Sequence, residues 1–334
     1  MTPSNRPTYA EISKHAGVSQ ATVSRVLNGD ERVHPDRAKR VLESVAALGY
    51  RKNRAASALA SGRTGLIAVV IDDDMRVFND PFWSAVSSGV SRVLQTAELQ
   101  TLLMVSNMTS PTGAIAHYLN SGDVDGAIFF QLHSEEFVSQ LAARGLPVVI
   151  AGTPLSSADF TYVDSDNFGG ARQATHHLLQ RGCKSIATIT GDINASAARQ
   201  RLDGYRQGIR DYGHTPINEL VAYGDYSYES GQEQMRILLS RGLPIDGVFA
   251  ANDLMAVGAM AMLEEAGRKI PEDVAVVGFD DSLIAQTTRP ALTTIRQDIM
   301  GLGEAVAELM IQKLSGDETF SRILPTELMV RDSA

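Results

Sequence analysis

The chain has 334 residues, a formal net charge of −9, 44% apolar and 21% charged residues, the proportions of a globular protein with material for two or three domains. Its longest apolar runs, GLIAVVI and LPVVIAG, are strand-length and too short to span a bilayer, so no membrane partner is expected. The opening MTPSNRPTYAEISKHAG lacks the apolar core of an export signal, and the single cysteine, Cys183, excludes an internal disulfide or a cysteine-built zinc site; a cytoplasmic setting is expected. The charge is uneven. Residues 1–64 hold eleven Lys/Arg against five Asp/Glu, a balance of +6, and the rest hold 19 against 34, a balance of −15. A small basic module of this kind reads as polyanion-binding, attached to a large acidic body.

In chain order, Thr8 and Glu11 form the T-x-x-E pattern of a capping box, with Ile12 and Ala16 as the apolar side of the first helix and Gly17 as its stop. Ser19 can cap a second helix whose apolar residues are Val23, Val26 and Leu27, ended by Asn28-Gly29. Pro35 opens a third, with Ala38, Val41, Leu42, Val45 and Leu48 as its apolar face and Gly49 beyond. Three short helices with a tight turn between the first two predict a helix-turn-helix over residues 1–52. Its second helix would then turn Gln20, Ala21 and Arg25 to base edges in the major groove, and Thr22 and Ser24 to phosphates. Ser19 and Asn28, at the two ends of that helix, complete the candidate DNA-binding set. Residues 53–64 follow as a linker carrying a helix-favouring segment about ten residues long, marginal for an isolated helix.

From Gly65, buried β-branched runs alternate with amphipathic helices, which predicts an α/β body of parallel sheets with helices on both faces. GLIAVVI, LQTLLMV, VDGAIFF and LPVVIAG form one series, and KSIATIT, ELVAY, DGVFAAND and VAVVGFD a second. Two similar lobes are expected, 65–162 with 296–321 and 163–292 with 322–334. Ligands of such sheets bind at the carboxyl ends of the strands. Phe82, Trp83, Tyr226, Asn252-Asp253 and Asp280-Asp281 fall at those ends, with Arg201 on the helix after KSIATIT. Aromatic faces beside a few ionised groups suit a hydroxyl-rich ligand. Asp253 reads as a helix N-cap, Phe82 as possible core, and Asp281 as a cap or turn residue.

Other constellations do not assemble. His176-His177 are adjacent, so their rings leave the helix in different directions and cannot share a metal. Asp72-Asp73-Asp74 reads as a solvated loop. Gly301-Leu-Gly303 lacks the third glycine and the strand-turn context of a dinucleotide site. With neither a nucleophile elbow nor a phosphate loop, no catalytic residues, metal or cofactor are expected.

Five stretches, TVSRVLNG, LGYRKNRAASALASGRTG, VFAANDLMAVGAM, VAVVGFDD and RPALTTIRQD, occur in that order. Together they resemble the lactose-repressor (LacI/GalR) family of bacterial transcription regulators over essentially the whole chain. The resemblance implies a periplasmic-binding-protein type I body, a hinge helix that folds on operator DNA beside that of its dimer mate, and Leu59 as a minor-groove wedge. It also implies that Phe82, Trp83, Arg201, Tyr226, Asn252 and Asp280 line an effector pocket. A repressor homodimer is expected, since LMVRDSA carries no leucine heptads, and with it a near-palindromic double-stranded operator. The effector is expected to be a sugar or sugar derivative. The sequence departs from the family at Ala195, Ala197 and Gly152, where relatives often place polar, cationic or acidic contacts, and at His34, where Ser or Thr is the usual cap. A purine- or nucleoside-responsive regulator and a sugar-binding transport protein are the rival readings.

Overall fold

A computed structural model describes residues 7–27, 29–30, 32–50, 62–71, 80–105, 114–130, 135–155 and 160–334. The chain divides into two units, Met1–Thr64 and Gly65–Ala334. Among the described residues no helix is long and apolar enough to cross a membrane.

The first unit is three helices, α1 (Tyr9–Ala16), α2 (Gln20–Leu27) and α3 (Pro35–Leu48). The capping box forms: the Thr8 amide donates to Glu11 Oε2 at 2.7 Å, and the Glu11 amide donates to Thr8 Oγ1 at 3.4 Å. Gly17 and Gly49 end α1 and α3 in the left-handed conformation, each at φ 63°. Ile12, Ala16, Val23 and Val41 form the core. Leu42, expected on the apolar face of α3, is 55% exposed, and Ser44 is buried instead. Only a narrow stripe of α3 meets α1 and α2, and residue 42 lies just beyond its edge. Ser44 satisfies its hydroxyl by donating to the Arg40 carbonyl at 2.7 Å. His34 does cap α3, its Nδ1 accepting from the Asp36 amide at 3.3 Å.

The second unit contains two six-stranded sheets. One comprises β1 (Leu66–Ile71), β2 (Gln100–Val105), β3 (Gly126–Phe130), β4 (Val148–Ala151), β5 (Tyr162–Ser165) and β11 (Arg322–Leu324), in the order β11-β5-β4-β3-β1-β2. The other comprises β6 (Ile186–Thr190), β7 (Val221–Tyr223), β8 (Gly247–Ala250), β9 (Ala275–Asp280), β10 (Thr293–Gln297) and β12 (Thr326–Met329), in the order β12-β10-β9-β8-β6-β7. All pairings are parallel except β10 with β12. Central strands β1, β3, β6 and β8 are buried almost end to end, which explains their unbroken apolar sequences.

The connecting helices are α4 (Pro81–Thr96), α5 (Ala114–Asn120), α6 (Glu135–Ala143), α7 (Asn167–Gln180), α8 (Ser196–Asp211), α9 (Tyr228–Ser240), α10 (Asp253–Glu265), α11 (Leu283–Thr287) and α12 (Ile299–Ser315). Gly303 of α12 lies against α4 so closely that a Cβ there would sit 2.2 Å from the Val86 carbonyl oxygen. That contact, rather than a dinucleotide, accounts for the glycine.

The chain passes between the lobes three times, at Asp166, Asp298 and Pro325. This corrects three expected boundaries. Arg296 pairs with Asp280 and Glu327, and Gln297 with Thr326, so residues 296–297 belong to the second lobe. Val163 pairs with Ala151 and with Arg322, so residues 163–165 and 322–324 belong to the first lobe. Each of these strands is short and its neighbour in sequence is polar, so hydropathy alone does not say which sheet it joins. The first two crossings share one device. Asp166 accepts from the Gly169 amide and Asp298 from the Gly301 amide, both at 2.8 Å. A Cβ on either glycine would lie 2.1 or 2.2 Å from the capping carboxylate. The D-x-x-G pattern therefore starts a helix immediately after each of these two crossings.

Candidate functional site

On α2, Gln20, Ala21 and Arg25 are exposed, while Thr22 and Ser24 are half-buried. Val23 anchors the helix from beneath with no exposed surface. Ser19 caps the helix, its Oγ accepting from the Thr22 amide at 3.2 Å. The face proposed for base contacts is thus free of packing, and the face proposed for phosphates lies at its margin. Asn28, Leu59, residues 53–61 of the linker and Asp72–Asp74 lie outside the described residues.

In the second unit, the carboxyl ends of both sheets open on a cavity of about 400 Å³. All six residues expected to meet the effector, Phe82, Trp83, Arg201, Tyr226, Asn252 and Asp280, line it. One side is aromatic: Phe82 and Trp83 meet edge to face with centroids 5.1 Å apart, and Trp83 meets Phe130 likewise at 6.0 Å. Trp83 also belongs to the first lobe's core, so only a margin of its ring is presented. Tyr226, at φ 71°, lays its ring over Gly191, where a Cβ would come within 2.0 Å of the ring. Burial pushes its hydroxyl up to about 12, which keeps it a hydrogen-bond donor.

The other side is a polar chain that joins the two lobes. Thr153 donates through its amide and hydroxyl to Asp164 Oδ2, at 2.9 and 2.8 Å. Asn167 Nδ2 donates to Asp164 Oδ1 at 2.9 Å, and Arg201 Nε donates to Asn167 Oδ1 at 2.8 Å. Arg201 also bonds the Ala251 carbonyl, stacks 3.7 Å above the Phe279 ring and lies 3.7 Å from Asp280. Gln297 Nε2 donates to Asp280 Oδ1 at 2.6 Å and closes the chain. Arg201 is 5% exposed and Asp280 9%, so both charges depend on these partners.

Electrostatics follow from that burial. Loss of water raises the proton affinity of Asp80, Asp164 and Asp280, against the pull of Arg201 on all three. Asp280 is raised well above an ordinary carboxylate, because Asp253 and Asp80 add repulsion to desolvation. Asp280 further adopts φ 114°, a conformation that costs a side-chain-bearing residue about 1–3 kcal/mol and collects at functional sites.

Two neighbouring readings need correction. The cap of α10 is Asn252, whose Oδ1 accepts from the Met255 amide at 2.9 Å, while its Nδ2 donates to the Tyr226 carbonyl at 2.9 Å. Asp253 instead sits one residue inside the helix and ties it to two other segments. It accepts from the Ser282 amide and hydroxyl, at 2.7 and 2.9 Å, and from Thr294 Oγ1 at 2.5 Å. Asp281 is neither cap nor simple turn: it pairs with Arg296 at 2.8 Å and with Arg331. The lining residues absent from the sequence-derived set include Asp80, Asp164, Asn167 and Gln297. Asp80 was legible as the cap before Pro81, and its Oδ1 does accept from the Phe82 amide at 2.9 Å. The others reach the cavity because they flank the crossings, a fact no local pattern carries.

A basic helix-turn-helix unit, followed by a two-lobed body with a polar cavity between its sheets, defines a ligand-responsive DNA-binding regulator. Residues 8–53 match the model for bacterial regulatory proteins of the lacI family, and residues 175–334 match a periplasmic binding protein-like domain. The HTH-type transcriptional regulator CelR of Thermobifida fusca is 38% identical over 334 residues, 98% of either chain. Catabolite control protein A of Priestia megaterium is 30% identical, again over 98% of each. Among solved structures, a CelR–cellobiose complex is similar with a TM-score of 0.78 at 37% identity, covering 98% of this chain and 100% of that one. The lac repressor dimer bound to operator and the anti-inducer ONPF reaches a TM-score of 0.88 at 26% identity, covering 98% and 99%. The chain belongs to the LacI family of bacterial transcriptional regulators.

Proposed function

We propose that the protein is a cytoplasmic, non-enzymatic repressor that binds a near-palindromic operator as a homodimer and responds to a carbohydrate held between its lobes. The observation that carries the effector reading is the cavity itself, an aromatic margin facing the buried chain Asp164–Asn167–Arg201–Asp280–Gln297. Aromatic faces take the apolar side of a pyranose ring, and fixed carboxylates and amides take its hydroxyls. The complex of CelR with cellobiose supports a glucose-built disaccharide as the first candidate, and the cavity volume of about 400 Å³ falls in the range of small-molecule sites. The dimeric lac repressor on its operator supports the dimer and the two-fold operator. Arg25, Gln20 and Ala21 then read bases, Ser19, Thr22, Ser24 and Asn28 hold phosphates or the helix end, and Leu59 is the minor-groove wedge.

A sugar panel screened by thermal shift tests the effector class, since a ligand stabilises in proportion to the logarithm of its excess over Kd. A hit should shift operator affinity in gel-shift titrations and change the fluorescence of Trp83, the protein's only tryptophan. A nucleoside that stabilises the protein while every sugar fails would reassign the pocket.

A further inference from the structure

The geometry points to a charge filter in the pocket: it admits uncharged polyols and turns away phosphorylated or carboxylated sugars, with Asp80, Asp164 and Asp280 as the residues that set this specificity. The inference rests on the carbohydrate reading above and narrows it to the unmodified sugar.

The described lining residues include the acids Asp80, Glu135, Asp164, Asp225, Glu229 and Asp280 and the cation Arg201, whose charge acts on Asp80, Asp164 and Asp280. Asp80 and Asp164 come from the first lobe and Asp280 from the second, so an entering anion meets carboxylates from both sides. Arg201 is also partly committed within the protein. Side-on bidentate recognition of an oxyanion uses Nε with a neighbouring Nη donor, and that fork is closed because Nε is committed to Asn167, while Nη1 gives one of its hydrogens to the Ala251 carbonyl. Phe279 covers one face of the guanidinium, and Asp280 lies 3.7 Å from it. Neutral hydroxyls have the opposite experience: they can donate to these carboxylates and need no counter-charge.

One feature of the cavity favours an anion. Helix α8 has Ala195 at its N-cap position and so no side-chain cap, and Ala195, Ser196 and Ala197 line the pocket. A helix amino-terminus is equivalent to about half an elementary charge, which is small against the acidic groups that line the cavity from both lobes. The amino-termini of α4, α9 and α10 do not add to it, because Asp80, Ser227 and Asn252 already accept from their first-turn amides. Those uncapped α8 amides suit a neutral ring oxygen or hydroxyl. The step that supplies the effector is then uptake of an intact sugar or hydrolysis of a longer glycan, and not a phosphorylating transfer.

Two measurements on the full-length protein test this. Quenching of Trp83 in the unliganded protein by caesium, iodide and neutral acrylamide, at constant ionic strength, reports the sign of the pocket potential. With each ion scaled to its quenching of free tryptophan, caesium should quench several-fold better than iodide, and Asp164→Asn or Asp80→Asn should narrow the gap. Cellobiose and cellobiose 6′-phosphate, compared by calorimetry, should differ by about a hundredfold or more in favour of the neutral sugar, as expected for a dianion brought within a few ångströms of buried carboxylates. Iodide quenching as strongly as caesium, or equal affinity for the phosphate ester, overturns the filter. Failure of every sugar to bind while caesium still outperforms iodide would sink the carbohydrate reading and leave the filter standing.

Discussion

Gln297 donates to Asp280 across 2.6 Å, so the last residue before the second crossing holds the acid at the centre of the pocket. Asn167, immediately after the first crossing, holds Arg201 by accepting from its Nε at 2.8 Å. Both crossings thus touch the pocket through one amide side chain, and movement of the lobes cannot leave the pocket's charges undisturbed. A ligand that binds one arrangement of the lobes better than another shifts their balance, which is the linkage a regulator requires.

Gln297→Leu should weaken effector binding about tenfold or more, because a hydrogen bond to a charged group contributes about 1.5–3 kcal/mol. Calorimetric titration checks this, with circular dichroism melting to confirm the fold. An unchanged Kd would make the bond purely structural.

Asp280→Ala should cost the effector a charge-assisted bond, roughly tenfold to a hundredfold in affinity. Asp280→Gly should lose the ligand equally yet melt higher than Asp280→Ala, since glycine accepts φ 114° without strain. In both variants the ligand's effect on operator affinity should fade in gel-shift assays.

Asp253 carries a pH signature. Burial raises its carboxyl from 3.8 to about 6 in the folded protein. The folded state therefore holds the proton more tightly than the unfolded chain, and the stability from this proton is complete below the unfolded value and is lost as pH rises through the folded one. Chemical unfolding should show the stability from this group falling between pH 3.8 and about 6, with a limiting slope of about 1.4 kcal/mol for each step of one in pH. Asp253→Asn should flatten that part of the profile, while losing an acceptor for the Ser282 donors.

Arg25, exposed on α2 beside Gln20 and Ala21, should read a guanine in each half-site, a contact worth about 1–3 kcal/mol of discrimination. Selection of binding sites with Arg25→Ala should relax preference at one symmetric position. Preference retained everywhere would remove Arg25 from the base-reading set.

Much of this molecule was determined by its sequence alone, wherever the physics is local. Thr8 with Glu11, Pro35 after His34, and the glycines at 17 and 49 act within one turn of chain, and each element they mark stands where the pattern places it. Strand-length apolar runs identified the two sheets because a strand covered on both faces must be apolar throughout. The strand ends marked out the pocket's neighbourhood for the same reason, since they are local and ligands gather there, and the family resemblance narrowed it to six residues. Tertiary structure alone decided the rest. Strands β5 and β11, only 162–165 and 322–324, join the first sheet by pairing with partners distant in sequence. Asp253 is a latch rather than a cap because Ser282 and Thr294 are brought to it by the fold. Asp164, Asn167 and Gln297 enter the pocket because the chain crosses between lobes beside them. A buried charge is stabilised by groups that converge from several strands, and convergence of that kind leaves no period or spacing to read.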